Sequence, residues 1–232
     1  MWDILVRLYG DLLDNDVPDV ERNLLAPAAT RLAVFAPTFG RYRSFATAPP
    51  PAPFEELWTW YALSRVHDLL ILGLQPPSRG DSRLSDWFVP GLAGGAEVRF
   101  LGQLGLEPVA RTRFTPFLHE VVEVVEDPTL EVPMVDEVLW PALRFGHMLF
   151  ARAGVRVRCR PGVLDPRLAA GTTLYFARRR RYRPTEDLSL GWGSNSQWRT
   201  ALRRDYAEDG HLFYNVDAPG MLGSPIGAAG PP

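Results

Sequence analysis

The order of two hydrophobic patterns along the chain restricts its fold more than any other feature. Apolar residues recur at helical spacing over 14–36 and again over 53–74. Beyond Gly95, short runs rich in Val, Phe and Thr are bounded by Gly or Pro, as is typical of strands. Helices first and strands later favour α+β over an alternating βαβ fold. We therefore predict an α+β fold, with an N-terminal helical part packed on a mainly antiparallel sheet formed by the C-terminal half.

The individual elements of the C-terminal half follow from the same patterns. The predicted strands are 97–101, 109–114, 117–125, 155–159, 172–176 and 213–216. Two helices are predicted among them, over 135–153 and 195–207, the first ending at Gly154. The proline-rich segment 46–53 is predicted to be a stiff connection, because proline neither continues a helix nor donates fully to a sheet.

The length and composition indicate one folded domain. A chain of 232 residues with 46% hydrophobic and 22% charged residues buries a large core, unlike a disordered chain. We predict a single globular domain over 1–217. The Gly-, Pro- and Ala-rich residues 218–232 are predicted to form a flexible tail.

The chain has an ordinary net charge, but the type of its basic residues is unusual. The formal net charge is -2, which does not favour a nucleic acid or an anionic membrane as partner. The sequence contains no lysine, so all 25 basic residues are arginines. Each arginine is a planar fork suited to bidentate contacts with carboxylates or phosphates.

Cysteine and histidine usage bounds the compartment and the metal chemistry. Cys159 is the only cysteine, so the chain cannot form an internal disulfide, and a reducing, cytoplasmic location is expected. Four scattered histidines give no closed ligand set, and we predict no metal site. The apolar segment 62–74 is interrupted by Arg65, His67 and Asp68, which argues against a membrane span.

The first candidate for chemistry is the predicted strand 117–125. Strict alternation places His119 and Glu123 on one face, an arrangement suited to a catalytic acid–base pair or to two ligands of a hard divalent metal. The alternative is a strand with one wet face, on which Glu123 and Glu126 pair with arginines of a neighbouring strand.

The second candidate is the segment 187–200, to which Arg203 adds a further arginine one turn beyond Arg199. Ser194 and Gln197 have the spacing of a capping box, and the N-terminus of such a helix attracts anions. The alternative is a plain structural cap with its tryptophans in the core. The predicted ligand-binding residues are Trp192, Ser194, Asn195, Gln197, Arg199 and Arg203.

The third candidate is the arginine run 177–183. Its charge is suited to phosphates and Tyr182 to stacking on a base. We favour the alternative, a solvated sheet edge that balances the acidic strand and prevents pairing with other chains.

Three segments of the half beyond Gly95 resemble an uncharacterised protein family of high-GC bacteria. They are 117–124, 151–158 and 192–200. The resemblance implies no activity, no cofactor and no catalytic residues.

Two hypotheses for function follow from these candidates. The first is a binding protein or enzyme for an anionic small molecule, with its cofactor unknown. The second is a non-catalytic module that binds a protein partner through aromatic and arginine anchors. They differ in whether His119, Glu123 and Arg199 converge on one pocket.

Overall fold

The computed structural model describes residues 1–14, 17–77, 90–171, 179–183 and 198–217. The α-helices in these ranges are α1 (Trp2–Leu13), α2 (Ala26–Ala33), α3 (Ala36–Phe39), α4 (Phe54–Leu70), α5 (Ala96–Gln103) and α6 (Pro166–Gly171). A π-helical turn, Glu21–Leu25, precedes α2, and 3-10 turns follow α3 (Gly40–Tyr42) and α4 (Leu72–Leu74). The strands are β1 (Glu107–Val109), β2 (His119–Glu126), β3 (Met134–Trp140), β4 (Ala142–Phe145), β5 (Met148–Ala151), β6 (Ala153–Cys159), β7 (Asp205–Glu208) and β8 (His211–Phe213).

Helix α4 lies at the centre of the helical part. It starts directly after Pro53, and Glu55 and Glu56 in its first turn complement the helix dipole. From Thr59 onward its side chains are buried on all sides, as the apolar pattern over 53–74 predicts. It is therefore the element against which both the other helices and the sheet pack.

The strands described form two sheets. The five-stranded sheet is antiparallel, with the order β1-β4-β5-β7-β8. The three-stranded sheet has the order β2-β6-β3, in which β2 runs parallel and β3 antiparallel to β6. The α+β class, with helices first and a mainly antiparallel C-terminal half, is confirmed.

One bent hairpin joins the two sheets. Strands β3 and β4 are separated only by Pro141, and β5 and β6 only by Arg152, so both arms pass from one sheet to the other. The Trp140 indole N–H donates to the Arg152 carbonyl at 3.1 Å and fixes the bend. Gly146 opens the hairpin turn with φ +61°, and a β-carbon there would lie 2.4 Å from the Arg43 carbonyl oxygen.

The largest core lies between the helices and one face of the five-stranded sheet. Leu63, Val66 and Leu69 of α4 are fully buried there with Phe145 and Phe150. A smaller core on the three-stranded sheet is formed by Val155 and Val157. Phe117, Leu118 and Leu149 form a third cluster.

The predicted helix over 135–153 is wrong, because these residues form β3, β4 and β5. Strands that pack on both faces carry apolar residues at most positions, and such a run imitates a buried helix. Four residues of β5 in succession are buried, so no alternation marks it as a strand.

Two further predictions of secondary structure are wrong. Residues 97–101 belong to α5, whose buried positions Ala96, Glu97, Phe100 and Leu101 have helical spacing despite their Val and Phe content. In the predicted helix 195–207, residues 198–204 are irregular and 205–207 lie in β7. The predicted strands 109–114 and 213–216 are strand only at Val109 and Phe213.

Several predictions concern residues outside the described ranges. The strand 172–176 and the tail 218–232 are among them, so the division into a domain and a tail stays a prediction. Within the described ranges, no helix combines the length and apolar character needed to cross a membrane.

Candidate functional site

His119 and Glu123 lie on opposite faces of the three-stranded sheet, so the prediction of a shared face is wrong. His119 pairs with Ala153 of β6, whereas Glu123 pairs with Arg156, an odd number of positions further along that strand. A β-bulge between Val121 and Glu123 causes the change, since one extra residue inverts the alternation. The proposed acid–base pair loses the shared face on which it depended.

His119 closes the turn that leads into β2. Its Nδ1 lies 3.0 Å from both the amide nitrogen and the carbonyl oxygen of Thr115, and its ring stacks on Phe114. Burial lowers the pKa of His119, opposed by the hydrogen bond to the Thr115 backbone. The Nδ1 atom of His119 therefore finds its hydrogen-bond partner within its own turn.

Glu123 forms part of a charged row across the sheet. Arg156 of β6 donates to Glu123 at 3.1 Å and to Glu137 of β3 at 2.6 Å. For Glu123, the alternative interpretation, an ion pair with an arginine of a neighbouring strand, describes the structure.

The second candidate can be followed only at its C-terminal end. Trp192, Ser194, Asn195 and Gln197 lie outside the described residues. The exposed Arg199 lies over the Trp58 ring at 5.6 Å, and Arg203 donates to the buried Asp205 at 3.0 Å. Arg199 and Arg203 therefore hold different partners and share no helix.

In the described part of the arginine run, residues 179–183, the arginines balance the acidic strand as we favoured, but from a buried position and not at a solvated edge. Arg180 and Arg183 are both buried. Arg180 donates to Asp68 of α4 at 2.7 Å and to Glu120 of β2 at 2.8 Å. Arg183 and the Tyr182 hydroxyl also contact Glu120. We call Asp68, Glu120, Arg180 and Arg183 the ion cluster.

The ion cluster fixes residues 179–183 against the fold. Between Asp68 and Glu120 the Arg180 charge is stabilised: burial opposes it, but the two carboxylates outweigh burial and raise its pKa. The pKa of Arg183 is lowered by burial, in spite of Glu120. Beside them, the Gln75 amide donates to the Arg179 carbonyl and accepts from the Arg181 amide, each at 2.7 Å.

Trp140 forms an aromatic wall of the ion cluster. Its ring lies 5.5 Å from the Arg180 guanidinium and 6.2 Å from the Tyr182 ring. A β-carbon on Gly154 would lie 2.2 Å from the Trp140 ring, so glycine is required for this close approach.

A second site with two arginines lies around Arg65, which precedes Asp68 by one turn of α4. Arg65 is only 7% exposed, and its Nη2 donates to the Tyr9 hydroxyl of α1 at 3.0 Å. The half-buried Arg179 donates to the same hydroxyl oxygen at 3.1 Å. The Arg65 guanidinium also lies over the rings of Tyr9 and Trp198, at 5.1 and 5.6 Å. We call Tyr9, Arg65, Arg179 and Trp198 the arginine–tyrosine site.

Arg65 differs from the arginines of the ion cluster in its partners. Within the described ranges, no carboxylate forms an ion pair with Arg65, whose polar contacts are the hydroxyls of Tyr9 and Tyr61. Its buried Nε–H has no hydrogen-bond partner. A desolvated guanidinium with a donor left over is suited to bind an anion.

The sequence pattern missed the arginine–tyrosine site, although one signal was present. Arg65 and Asp68 interrupt an apolar helix, and charged residues in a helix buried on all sides require partners or ligands. The partners could not be read from the sequence, since Tyr9 precedes Arg65 by 56 positions and Arg179 follows Tyr9 by 170.

The chain matches no protein-family model, and no curated protein or solved structure is detectably similar to it. The resemblance to an uncharacterised bacterial family therefore stays an expectation from the sequence. Over the described residues, no group of three or more His, Cys, Asp or Glu side chains is arranged to hold a metal ion.

Proposed function

We propose that this protein binds a small oxyanion at the arginine–tyrosine site. The observation that carries the proposal is Arg65: a guanidinium 7% exposed, without a carboxylate among its described partners, and with a free Nε–H. The anionic ligand of the first sequence hypothesis is kept, and its site is moved from the segment 187–200 to α4.

The cost of burying a charge supports this assignment. A buried arginine without a counter-ion costs several kcal/mol, roughly, in desolvation. Elsewhere the chain meets that cost with carboxylates: Arg180 contacts Asp68 and Glu120, and the buried Arg204 forms a bidentate pair with Asp217 at 2.6 and 2.8 Å. A bound anion supplies to Arg65 what those carboxylates supply to Arg180 and Arg204.

The neighbours of Arg65 differ in exposure. Tyr9 is buried, whereas Arg179 and Trp198 are half-buried. The single cysteine fits a reducing, cytoplasmic setting for this binding.

The experiment compares anion-dependent stabilisation in three proteins. Melting temperature is measured in rising sodium acetate and sodium phosphate at constant ionic strength, for the wild type, Arg65→Met and Arg99→Met. Arg99 is a matched control, because it loses the same charge but pairs with Glu21 at the surface. An anion that binds only the folded state raises the melting temperature as its concentration exceeds its Kd.

We expect at least one of the two anions to stabilise the wild type and Arg99→Met in a saturable way, and Arg65→Met not at all. Equal stabilisation of all three proteins would show a general salt effect and would contradict the proposal. Saturable binding that survives Arg65→Met would place the anion elsewhere and overturn the site.

A further inference from the structure

The residues that lead into α4 have the backbone of a polyproline II helix. Over 49–53, four of the five residues are prolines, and no turn or bend interrupts them. The proline ring fixes φ at about -65°, and the residue before a proline is held to an extended ψ. At the end of the run, Pro53 has φ -59° and ψ 146°, as in polyproline II. We call residues 49–54 the proline segment.

The exposure of its side chains follows the same helix, which repeats about every three residues. Ala52 packs on the largest core, and Pro49, three residues earlier, is half-buried as well. Pro51 is exposed, and Phe54, three residues later, is 67% exposed. The proline segment therefore turns one edge to the protein and another to solvent.

The fold holds the proline segment in this conformation. The buried Arg204 donates to the Pro50 carbonyl at 2.8 Å and is itself held by Asp217 at 2.6 Å. The Pro53 carbonyl accepts from the first amides of α4. Within the described ranges no donor reaches the Pro51 carbonyl, so this oxygen stays available to a partner.

We infer that the proline segment is a docking site for a protein domain with an aromatic-lined groove for polyproline II helices. Such grooves bind a helix that is already formed, which lowers the entropy lost on association. The exposed Pro51 and Pro53 supply rings to the groove, and Phe54 adds an aromatic anchor. The inference is independent of anion binding at Arg65.

The chemistry of the segment favours this partner over other macromolecules. No charged residue occurs over 46–54, so charge does not attract a nucleic acid or an anionic membrane to it. Prolines lack the backbone N–H that an added strand donates, so the segment is unsuited to extend a partner's sheet. Rings and carbonyls remain, and these are the groups that an aromatic groove contacts.

The test titrates the unlabelled full chain into three purified ¹⁵N-labelled domains, an SH3, a WW and an EVH1 domain, in separate experiments. Nuclear magnetic resonance follows the groove residues of each domain. We expect a saturable shift of the groove resonances in at least one of them. A proline-rich peptide that occupies the same groove is expected to reverse the shift.

Pro51→Ala and Phe54→Ala test the exposed side chains. Neither side chain is part of the core, so both variants keep the fold, which their melting temperatures check. We expect each to weaken binding about tenfold or more. Pro128→Ala is the matched control, because Pro128 is also exposed but lies in a turn outside the proline segment, and its binding is expected to equal that of the wild type.

Three outcomes would overturn the inference. The first is the absence of a saturable shift in all three domains. The second is binding that Pro51→Ala and Phe54→Ala leave unchanged, since the contact then lies elsewhere on the chain. The third is an equal loss in Pro128→Ala, which would show that the proline segment has no special part in the binding.

Discussion

Arg65 of α4 and Arg180, which contacts Asp68 of α4, are both buried. They differ in the groups that surround their charge. Arg180 lies between Asp68 and Glu120, with both distances below 3 Å. Arg65, one turn before Asp68, meets two tyrosine hydroxyls and two aromatic rings in place of a carboxylate. The first arrangement is complete without a ligand and fixes residues 179–183. The second has no carboxylate within the described ranges and leaves the Arg65 Nε–H without a partner, and this difference is the ground on which we propose a ligand there.

The largest expected effect comes from the ion cluster. Glu120→Gln removes one carboxylate from Arg180 and Arg183, both buried, and we expect a loss of about 3 to 5 kcal/mol of unfolding free energy. Urea unfolding followed by circular dichroism measures the loss.

Glu137→Gln is the control for that substitution. Glu137 pairs with Arg156 on the exposed face of the three-stranded sheet, where an ion pair contributes about 0.2 to 1 kcal/mol. Similar losses in the two variants would mean that the ion cluster is no more stabilising than a surface pair.

The helical half could be predicted because its signals are local. The apolar spacing and the acidic first turn of α4 lie within one segment, and that segment forms the helix described above. The bent hairpin could not be predicted from the sequence. Both faces of β5 are buried, and this removes the alternation that identifies a strand.

The candidate site could not be predicted, because its geometry depends on a β-bulge and on contacts between residues far apart in the chain. The bulge after Val121 adds one residue to β2 and places His119 and Glu123 on opposite faces. A bulge in a run of valines and glutamates cannot be recognised from the sequence. The contacts of Tyr9 with Arg65 and Arg179 join positions far apart in the chain. Only the topology brings these side chains together.

An intermediate effect is expected from His67, which is fully buried beside Asp68. Burial lowers the pKa of His67 to about 4, opposed by Asp68 and assisted by Arg180. Between about pH 6.5 and pH 4 the unfolded chain therefore binds a proton that the folded protein does not, and stability falls as pH falls. This contribution amounts to about 2 to 3 kcal/mol between pH 7 and pH 4.5.

His67→Phe isolates that contribution. The ring is kept against Phe150, which it meets at 5.9 Å, and the titrating nitrogen is removed. Urea unfolding at pH 7 and pH 4.5 is expected to show a smaller loss in the variant than in the wild type. A loss of the same size in both proteins would mean that His67 is protonated in the folded state, against the burial described here.

The smallest expected effect is at Arg65 itself and compares it with a matched arginine. In buffer free of carboxylate and phosphate, Arg65→Met loses contacts with Tyr9 and Trp198 but removes a buried charge, and we expect a change below about 1 kcal/mol. Arg204 also lies over a tyrosine ring, Tyr42 at 4.9 Å, yet it holds Asp217. Since Asp217 is partly exposed, Arg204→Met is expected to cost only about 2 kcal/mol more than Arg65→Met in urea unfolding. If Arg65→Met is the more costly of the two, Arg65 serves the folded state without a ligand, and the contrast between a completed and an unsatisfied arginine is lost.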